Sequence, residues 1–250
     1  MCTAVFRFDP EAAYPFLLIG NRDEMADRPA LTPARHWPDR AEVIGGLDET
    51  AGGTWMAVNE AGVFATLLNA KQTLGPQDGK RSRGELPLDA LDFEAAADAA
   101  EAAETLEPSA YRPFNLLIAD ADAVFLVQND GVSACAAQRV EPGLYMISHS
   151  NLNDPTDPRV RWFRDAFERL DAPQDPAHLP DWQPWVSLMA SREGEDPRDP
   201  LTALTIRTDF GFETRCTALI GLAQDKPPVW WHREGQDAAD NLSHFHTILI

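Results

Sequence analysis

Residues 3–24, TAVFRFDPEAAYPFLLIGNRDE, contain two short apolar segments separated by a turn-prone Asp-Pro pair. The segments Thr3–Phe8 and Phe16–Gly20 have the length and the apolar and aromatic content of strands, and Asp9-Pro10 favours a turn between them. This pattern predicts an antiparallel hairpin. Because a hairpin returns the end of its second strand to the start of its first strand, residues 21–24 are expected beside residue 2.

Cys2 stands at the start of this predicted hairpin. Removal of Met1 is expected because the second side chain is small, and it would leave Cys2 with both a thiol and a free α-amine. A thiol attacks as the thiolate, and an α-amine with a pKa of about 7.7–8.0 is a built-in base for the thiol proton. Cys2 is therefore a candidate catalytic nucleophile, with Arg22 and Asp23 placed to lower the thiol pKa and orient the amine.

Two structural interpretations compete with this one. Cysteine is often just a small buried hydrophobic residue, and one at position 2 arises by chance in roughly one sequence in a hundred. The Arg22-Asp23 pair, in turn, is also the kind of local ion pair that closes a turn.

The rest of the chain predicts an α+β fold. Further strands are predicted at 54–58, 63–68, 115–119, 124–128, 132–137, 144–148, 217–222 and 245–250. Helices are predicted at 85–106, 158–170 and 182–190. Strands grouped in hairpins, with the helices in separate runs, favour α+β layering over a doubly wound parallel sheet. No repeat or linker is visible, so a single domain over residues 1–250 is expected.

Charge and cysteine content exclude several classes of function. The 250 residues include 21 Lys and Arg against 40 Asp and Glu, a net charge of −19. This balance argues against nucleic-acid binding, which depends on cationic side chains, and an anionic membrane surface would repel the protein. Cys2, Cys135 and Cys216 form neither a disulfide framework nor a metal knuckle. With no secretory signal and no apolar run long enough to span a bilayer, a cytoplasmic protein without membrane insertion is expected.

No cofactor or metal is expected. His244 and His246 are near each other in sequence, but no Cys or His at a recognisable spacing supplies a third ligand. The segment Gly52-Gly53-Thr54-Trp55 is too short for a nucleotide-binding loop and lacks its lysine. The partner expected is a small-molecule substrate or ligand, and the oligomeric state is left open.

Several motifs in a fixed order resemble the NRDE family, whose members are Transport and Golgi organisation protein 2-like. The resemblance covers nearly the whole chain and rests on MCT at 1–3, GNRDE at 20–24, Arg28-Pro29, GGTW at 52–55, Asn69, SRGEL at 82–86, FNLLIAD at 114–120 and Ser150-Asn151. It implies a four-layer αββα sandwich of the N-terminal-nucleophile hydrolase type.

A looser resemblance connects the chain to cysteine-type penicillin acylases and bile salt hydrolases, which also begin with Met-Cys. It implies a nucleophile at Cys2, flanking roles for Arg22 and Asp23, an oxyanion-hole donor at Asn69, an amine-orienting residue at Asn151 and an arginine near the thiol at Arg215. The chain departs from both patterns. The acylases space their Arg and Asp differently, and a typical NRDE member has Arg-Thr-Asn where this chain has Arg215-Cys216-Thr217.

Two functions follow from these observations. The first is hydrolysis of an amide or thioester bond through Cys2. The second is non-catalytic handling of haem, lipid or acyl-coenzyme A on the same scaffold, which the resemblance to the NRDE family implies.

Overall fold

The computed structural model describes residues 2–71, 73, 75–236 and 239–250, and the chain forms two compact units. The first unit comprises Met1–Arg28, Pro142–Gly221 and Val229–Leu249. The second comprises Pro29–Glu141, Leu222–Pro228 and Ile250. The single domain expected over residues 1–250 stays a prediction.

Strands and helices alternate in blocks along the chain. The strands are β1 Thr3–Phe8, β2 Phe16–Met25, β3 Ala30–Ala34, β4 Val43–Asp48, β5 Met56–Asn59, β6 Phe64–Asn69, β7 Phe114–Ala119, β8 Val124–Asn129, β9 Ala136–Arg139, β10 Gly143–Ile147, β11 Phe212–Ala223, β12 Lys226–Glu234 and β13 His246–Ile248. The helices are α1 Leu86–Ala90, α2 Ala96–Glu104, α3 Pro158–Glu168 and α4 Gln183–Met189. None of the helices within these described residues is long and apolar enough to cross a membrane.

The first unit is built on a sheet with the strand order β10-β1-β2-β11-β12-β13. The predicted hairpin is confirmed, because β1 and β2 pair antiparallel with Thr3 opposite Asn21 and Phe8 opposite Phe16. Helix α3 packs against β10 and α4 against β2. The rings of Phe167, Trp182 and Trp185 meet edge to face between these helical segments and are fully buried. The hairpin thus lies inside the sheet, with β1 between β10 and β2.

The second unit is built on an antiparallel sheet with the order β3-β4-β5-β6-β7-β8-β9, against which α1 and α2 pack. The single helix predicted over 85–106 is wrong, because the chain leaves the helical conformation between α1 and α2. Side chains at the ends of two strands of the sheet hydrogen-bond to the backbone on either side of this break. The Asn59 amide donates to the carbonyls of Leu91 and Phe93, at 3.0 and 2.8 Å, and the Asp120 carboxylate accepts the N–H of Ala96 at 2.7 Å.

Two of the family-like motifs meet within the second unit. Gly53 of GGTW and Gly84 of SRGEL approach so closely that a Cβ on Gly53 would lie 2.4 Å from the Gly84 carbonyl carbon. The N–H of Thr54 donates to the Gly84 oxygen at 2.8 Å. Arg83 is buried and donates to the Thr73 side chain and to the Pro113 carbonyl, both at 2.9 Å. These glycines and this arginine therefore have structural roles in joining loops.

The remaining differences from the predicted strands have local causes. The strand predicted at 132–137 is wrong at its start, because the Asp130 carboxylate accepts the N–H groups of Val132 and Ser133 and holds them in a turn. Strands β3, β4 and β12 were not predicted. Strand β12 begins Lys-Pro-Pro, a loop-like sequence, and prolines are tolerated at the first residues of a strand.

His232 on β12 gives the fold a testable pH dependence. It is buried opposite His246, and burial, with the charges of His246 and Arg233, lowers its pKa to about 3. Between the unfolded pKa of about 6.5 and this value, the unfolded chain binds a proton that the folded chain does not, so stability falls as pH falls. From about pH 7.5 to about pH 4.5 the loss from this group is roughly 2–3 kcal/mol.

The variant His232→Phe keeps a ring in this place and removes the titrating group. Urea denaturation gives the unfolding free energy at about pH 7.5 and about pH 4.5. The change between these pH values is expected to be about 2–3 kcal/mol smaller in the variant than in the original protein. The variant His244→Phe, at an exposed histidine, is the control and should leave the difference unchanged. An unchanged pH dependence in His232→Phe would contradict the assignment.

Candidate active site

Cys2 lies immediately before β1 and is half-buried. The β1–β2 register, continued by one residue from Thr3 opposite Asn21, brings Cys2 level with Arg22. Burial raises the pKa of the Cys2 thiol, and the charge of the Asp23 carboxylate adds to that rise. A backbone hydrogen bond from Asp23 and the charge of Arg22 lower the thiol pKa. Arg22 and Asp23 are therefore close enough to act on the thiol electrostatically.

The Asp23 carboxylate is held by groups from two elements, α3 and β11. Its Oδ2 accepts from Arg159 Nη1 at 2.9 Å, and its Oδ1 accepts from the Thr214 hydroxyl at 2.7 Å. Arg159 Nη1 also donates to the Thr3 hydroxyl at 2.6 Å, next to Cys2 in the chain. Asp23 and Arg159 are both almost completely buried, so this is an ion pair inside the protein.

Arg159 is the residue of this site that sequence reasoning missed. It stands at the start of α3, where Asp157 caps the helix by accepting the Arg159 N–H at 2.9 Å. Its Nε donates to the Leu201 carbonyl at 2.9 Å, which fixes the side chain from a second direction. An arginine in the first turn of an amphipathic helix ordinarily faces water, and nothing local in the sequence indicated its burial.

A second buried polar row runs beside the ion pair. The Thr217 hydroxyl donates to Asn21 Oδ1 at 2.7 Å and accepts a hydrogen bond from Arg233. Asn21 Nδ2 donates to the Leu204 carbonyl at 2.9 Å. The first residue of the NRDE motif thus supports the strands around Cys2, with its amide hydrogen-bonded on both sides.

Cys216 and Arg215 lie on β11, on the other side of β2 from β1. Burial raises the pKa of the Cys216 thiol to about 12, so this thiol stays protonated. Since neighbouring strands are about 4.8 Å apart, Cys2 and Cys216 are separated by roughly 10 Å, beyond the reach of a disulfide. The Arg215 guanidinium donates to Glu213 at 2.7 Å on its own strand. Its predicted approach to the Cys2 thiol stays a prediction.

The loop after β10 carries Asn151, which is exposed. Asn153 anchors this loop, because its Oδ1 accepts the Met146 N–H at 2.8 Å and it adopts a left-handed φ of 54°. In the β1–β10 pairing Ala4 lies opposite Ile147, so continuing the register by two residues brings His149 level with Cys2. His149 Nδ1 lies 2.8 Å from the Ser148 hydroxyl and 3.3 Å from Asp157. The amine-orienting role of Asn151 stays a prediction.

Asn69 belongs to the second unit. It is the last residue of β6, half-buried and opposite Phe114 on β7. Its predicted role as an oxyanion-hole donor stays a prediction.

Two further features bear on ligands. Over the part of the chain that the structure describes, no group of three or more His, Cys, Asp or Glu side chains is arranged to hold a metal ion.

A cavity of about 440 Å³ lies in the first unit, at the opposite end of β1 from Cys2. Its lining includes Arg7, Asp9, Tyr14 and Arg169.

Comparison with models of protein families agrees with the family resemblance that the sequence motifs indicate. The model of the family described as Transport and Golgi organisation 2 matches residues 1–227. In sequence comparison, no curated protein matches the chain.

Solved structures share the fold at low sequence identity. Penicillin V acylase from Agrobacterium tumefaciens is 14% identical with a TM-score of 0.52, and the match covers 94% of this chain and 83% of that one. The C2A mutant of conjugated bile acid hydrolase from Clostridium perfringens is 12% identical with a TM-score of 0.50, and the match covers 100% and 97%. These likenesses confirm the predicted α+β class and the N-terminal-nucleophile hydrolase type of fold.

Proposed function

Because the chain belongs to the Transport and Golgi organisation 2 family and has the N-terminal-nucleophile hydrolase fold, we propose that it is a cysteine hydrolase. Its substrate is an amide or a thioester, and the enzyme acts after Met1 is removed. The observation that carries the proposal is the place of Cys2, half-buried at the start of an inner strand and level with Arg22.

The proposed reaction begins with the α-amine of Cys2. Because burial raises the pKa of the thiol, solvent alone leaves little thiolate at neutral pH, and a base beside the sulfur is required. The amine takes the thiol proton, and the thiolate attacks the carbonyl carbon of the substrate. The resulting oxyanion requires hydrogen-bond donors, and each such donor contributes about 10²–10³-fold to the rate.

The intermediate then collapses with cleavage of the C–N or C–S bond. The leaving amine or thiol takes the proton from the Cys2 ammonium, and a thioester between the acyl group and Cys2 remains. Water attacks this thioester, its proton passing to the α-amine, and the carboxylic acid is released while the thiol is restored. Asn151 orients the amine through this cycle.

A non-catalytic carrier is the second candidate, and the 440 Å³ cavity is the observation that favours it. This volume falls in the range of small-ligand pockets, roughly 300–1,000 Å³. The cavity lies away from Cys2 and its lining includes charged side chains, so ligand binding there would not require the thiol. Cys2→Ala would then leave binding intact, and no acyl donor would modify Cys2.

Acyl transfer from p-nitrophenyl acetate tests the hydrolase. One acetyl group per chain is expected on Cys2 early in the reaction, with an initial burst of one p-nitrophenolate, because the thiolate displaces this leaving group from the carbonyl carbon. Mass spectrometry of the intact chain and of its peptides locates the group, and the intact mass also reports whether Met1 is present. Cys2→Ala is expected to abolish the modification.

The other cysteines provide matched controls. Cys135 and Cys216 are buried, so Cys135→Ala and Cys216→Ala should leave the extent of acetylation unchanged. Acetylation that persists in Cys2→Ala, or that never reaches Cys2 in a folded protein lacking Met1, would reject the proposed nucleophile.

A further inference from the structure

The buried ion pair beneath Cys2 has a consequence for the reactivity of the thiol. We propose that Arg159 is a positioning residue that sets the ionisation of Cys2, by neutralising Asp23 and by fixing Thr3. This inference rests on the proposed function only in taking Cys2 as the reactive group.

The Arg159 guanidinium bridges the start of β1, next to Cys2, and the Asp23 carboxylate. One nitrogen, Nη1, donates both to the Thr3 hydroxyl at 2.6 Å and to Asp23 Oδ2 at 2.9 Å. Thr3 follows Cys2 directly in the chain, and the Asp23 backbone hydrogen-bonds to the Cys2 thiol. The same guanidinium therefore fixes the start of β1 and compensates the charge that lies beside the sulfur.

The other charged and titratable groups around Cys2 come from every neighbouring element. They are the amino terminus, Arg22 and Asp23 on β2, Cys216 on β11, and the His149–Asp157 pair after β10. Asp23 is the negative group among them that acts directly on the thiol, and its charge disfavours a thiolate. A buried guanidinium at 2.9 Å offsets that charge, whereas water, being excluded there, does not.

Loss of the Arg159 charge should therefore raise the pH at which Cys2 reacts. In Arg159→Gln, the midpoint of the pH–rate profile for alkylation of Cys2 by iodoacetamide is expected to rise by about one unit, a tenfold slower reaction at neutral pH. Arg159→Lys keeps the charge and should stay within about threefold of the original rate. The double variant Asp23→Asn/Arg159→Gln removes both charges and should also return to within about threefold.

Iodoacetamide is neutral, so the field does not attract or repel the reagent, and peptide mass spectrometry follows Cys2 separately from the other thiols. Arg164→Ala, on the exposed side of the same helix, is the matched control and should not move the midpoint. Alkylation does not require turnover, so a protein that fails to hydrolyse any substrate still gives this result if Arg159 acts as proposed.

Two outcomes would overturn the inference. One is an Arg159→Gln profile that superimposes on the original, and the other is a double variant that stays tenfold slower, which would assign Arg159 a purely structural role. If circular dichroism shows that Arg159→Gln does not fold, Arg159→Lys and the double variant decide the question, because a one-unit displacement in either contradicts it.

Discussion

Replacing Asp23 by alanine is expected to lower the free energy of unfolding by about 3–5 kcal/mol, because the buried Arg159 charge loses its partner. The Thr214 hydroxyl, which donates to the same carboxylate, loses its acceptor at the same time. Both groups lie where water is excluded, so neither regains its hydrogen bonds from solvent. Denaturation in urea, monitored by tryptophan fluorescence, measures the change.

A second ion pair on the same helix supplies the control for this prediction. Arg161 on α3 pairs with Glu195 at a partly exposed site, so Glu195→Ala is expected to cost less than about 1 kcal/mol. The double variant Asp23→Leu/Arg159→Met replaces the buried pair by apolar groups and should cost less than Asp23→Ala alone, since no charge is left uncompensated. Equal decreases in unfolding free energy in Asp23→Ala and Glu195→Ala would show that burial does not increase the contribution of the ion pair to stability.

The contrast between Asp23 and Arg159 shows where sequence reasoning succeeds in this protein. The β1–β2 hairpin is local, because its strands, its Asp-Pro turn and its NRDE segment lie within about two dozen residues. Antiparallel pairing alone then brings residues 21–24 to residue 2. Asp23 was placed near Cys2 on this basis, and no long-range information was needed.

Arg159 lies 136 residues from Asp23 in the chain, and its contact depends on how α3 packs against the sheet. Periodicity places an arginine on the polar side of a helix, but it does not show which end of the helix is covered by other segments. The break between α1 and α2 was missed for the same reason. Asn59, the last residue of β5, and Asp120, which follows β7, hydrogen-bond to the backbone in the break, whereas the Ala-rich sequence itself favours a continuous helix.

The residues assigned by resemblance differ in how far the structure explains them. Arg22 and Asp23 have a physical connection to Cys2 through register and electrostatics. Arg215, by contrast, is paired with Glu213, and the Cys216 that follows it is a protonated thiol in place of the polar residue of the family pattern. Arg215 thus has a partner on its own strand, and its catalytic role stays a prediction.

Preventing the removal of Met1 is expected to slow acetylation of Cys2 by about 10²–10⁴-fold, the usual contribution of a positioned general base. Inserting leucine between Met1 and Cys2 achieves this, because methionine is retained before a bulky residue. The thiol and its neighbours Arg22 and Asp23 stay in place, but the α-amine becomes an amide nitrogen that cannot accept a proton. Stopped-flow release of p-nitrophenolate gives the rate, and intact mass confirms the extended terminus.

A sample whose extension is cut off separates loss of the base from steric blockage. If the inserted segment ends in a factor Xa site, cleavage leaves Cys2 as the first residue and should restore the original rate. The same insertion placed after Ile250 should have no effect. If the extended protein is acetylated as fast as the cleaved one, the amine of Cys2 is not the base. Another group would then have to take the proton, and His149, which lies beside Asp157, is the nearest one in the β1–β10 register.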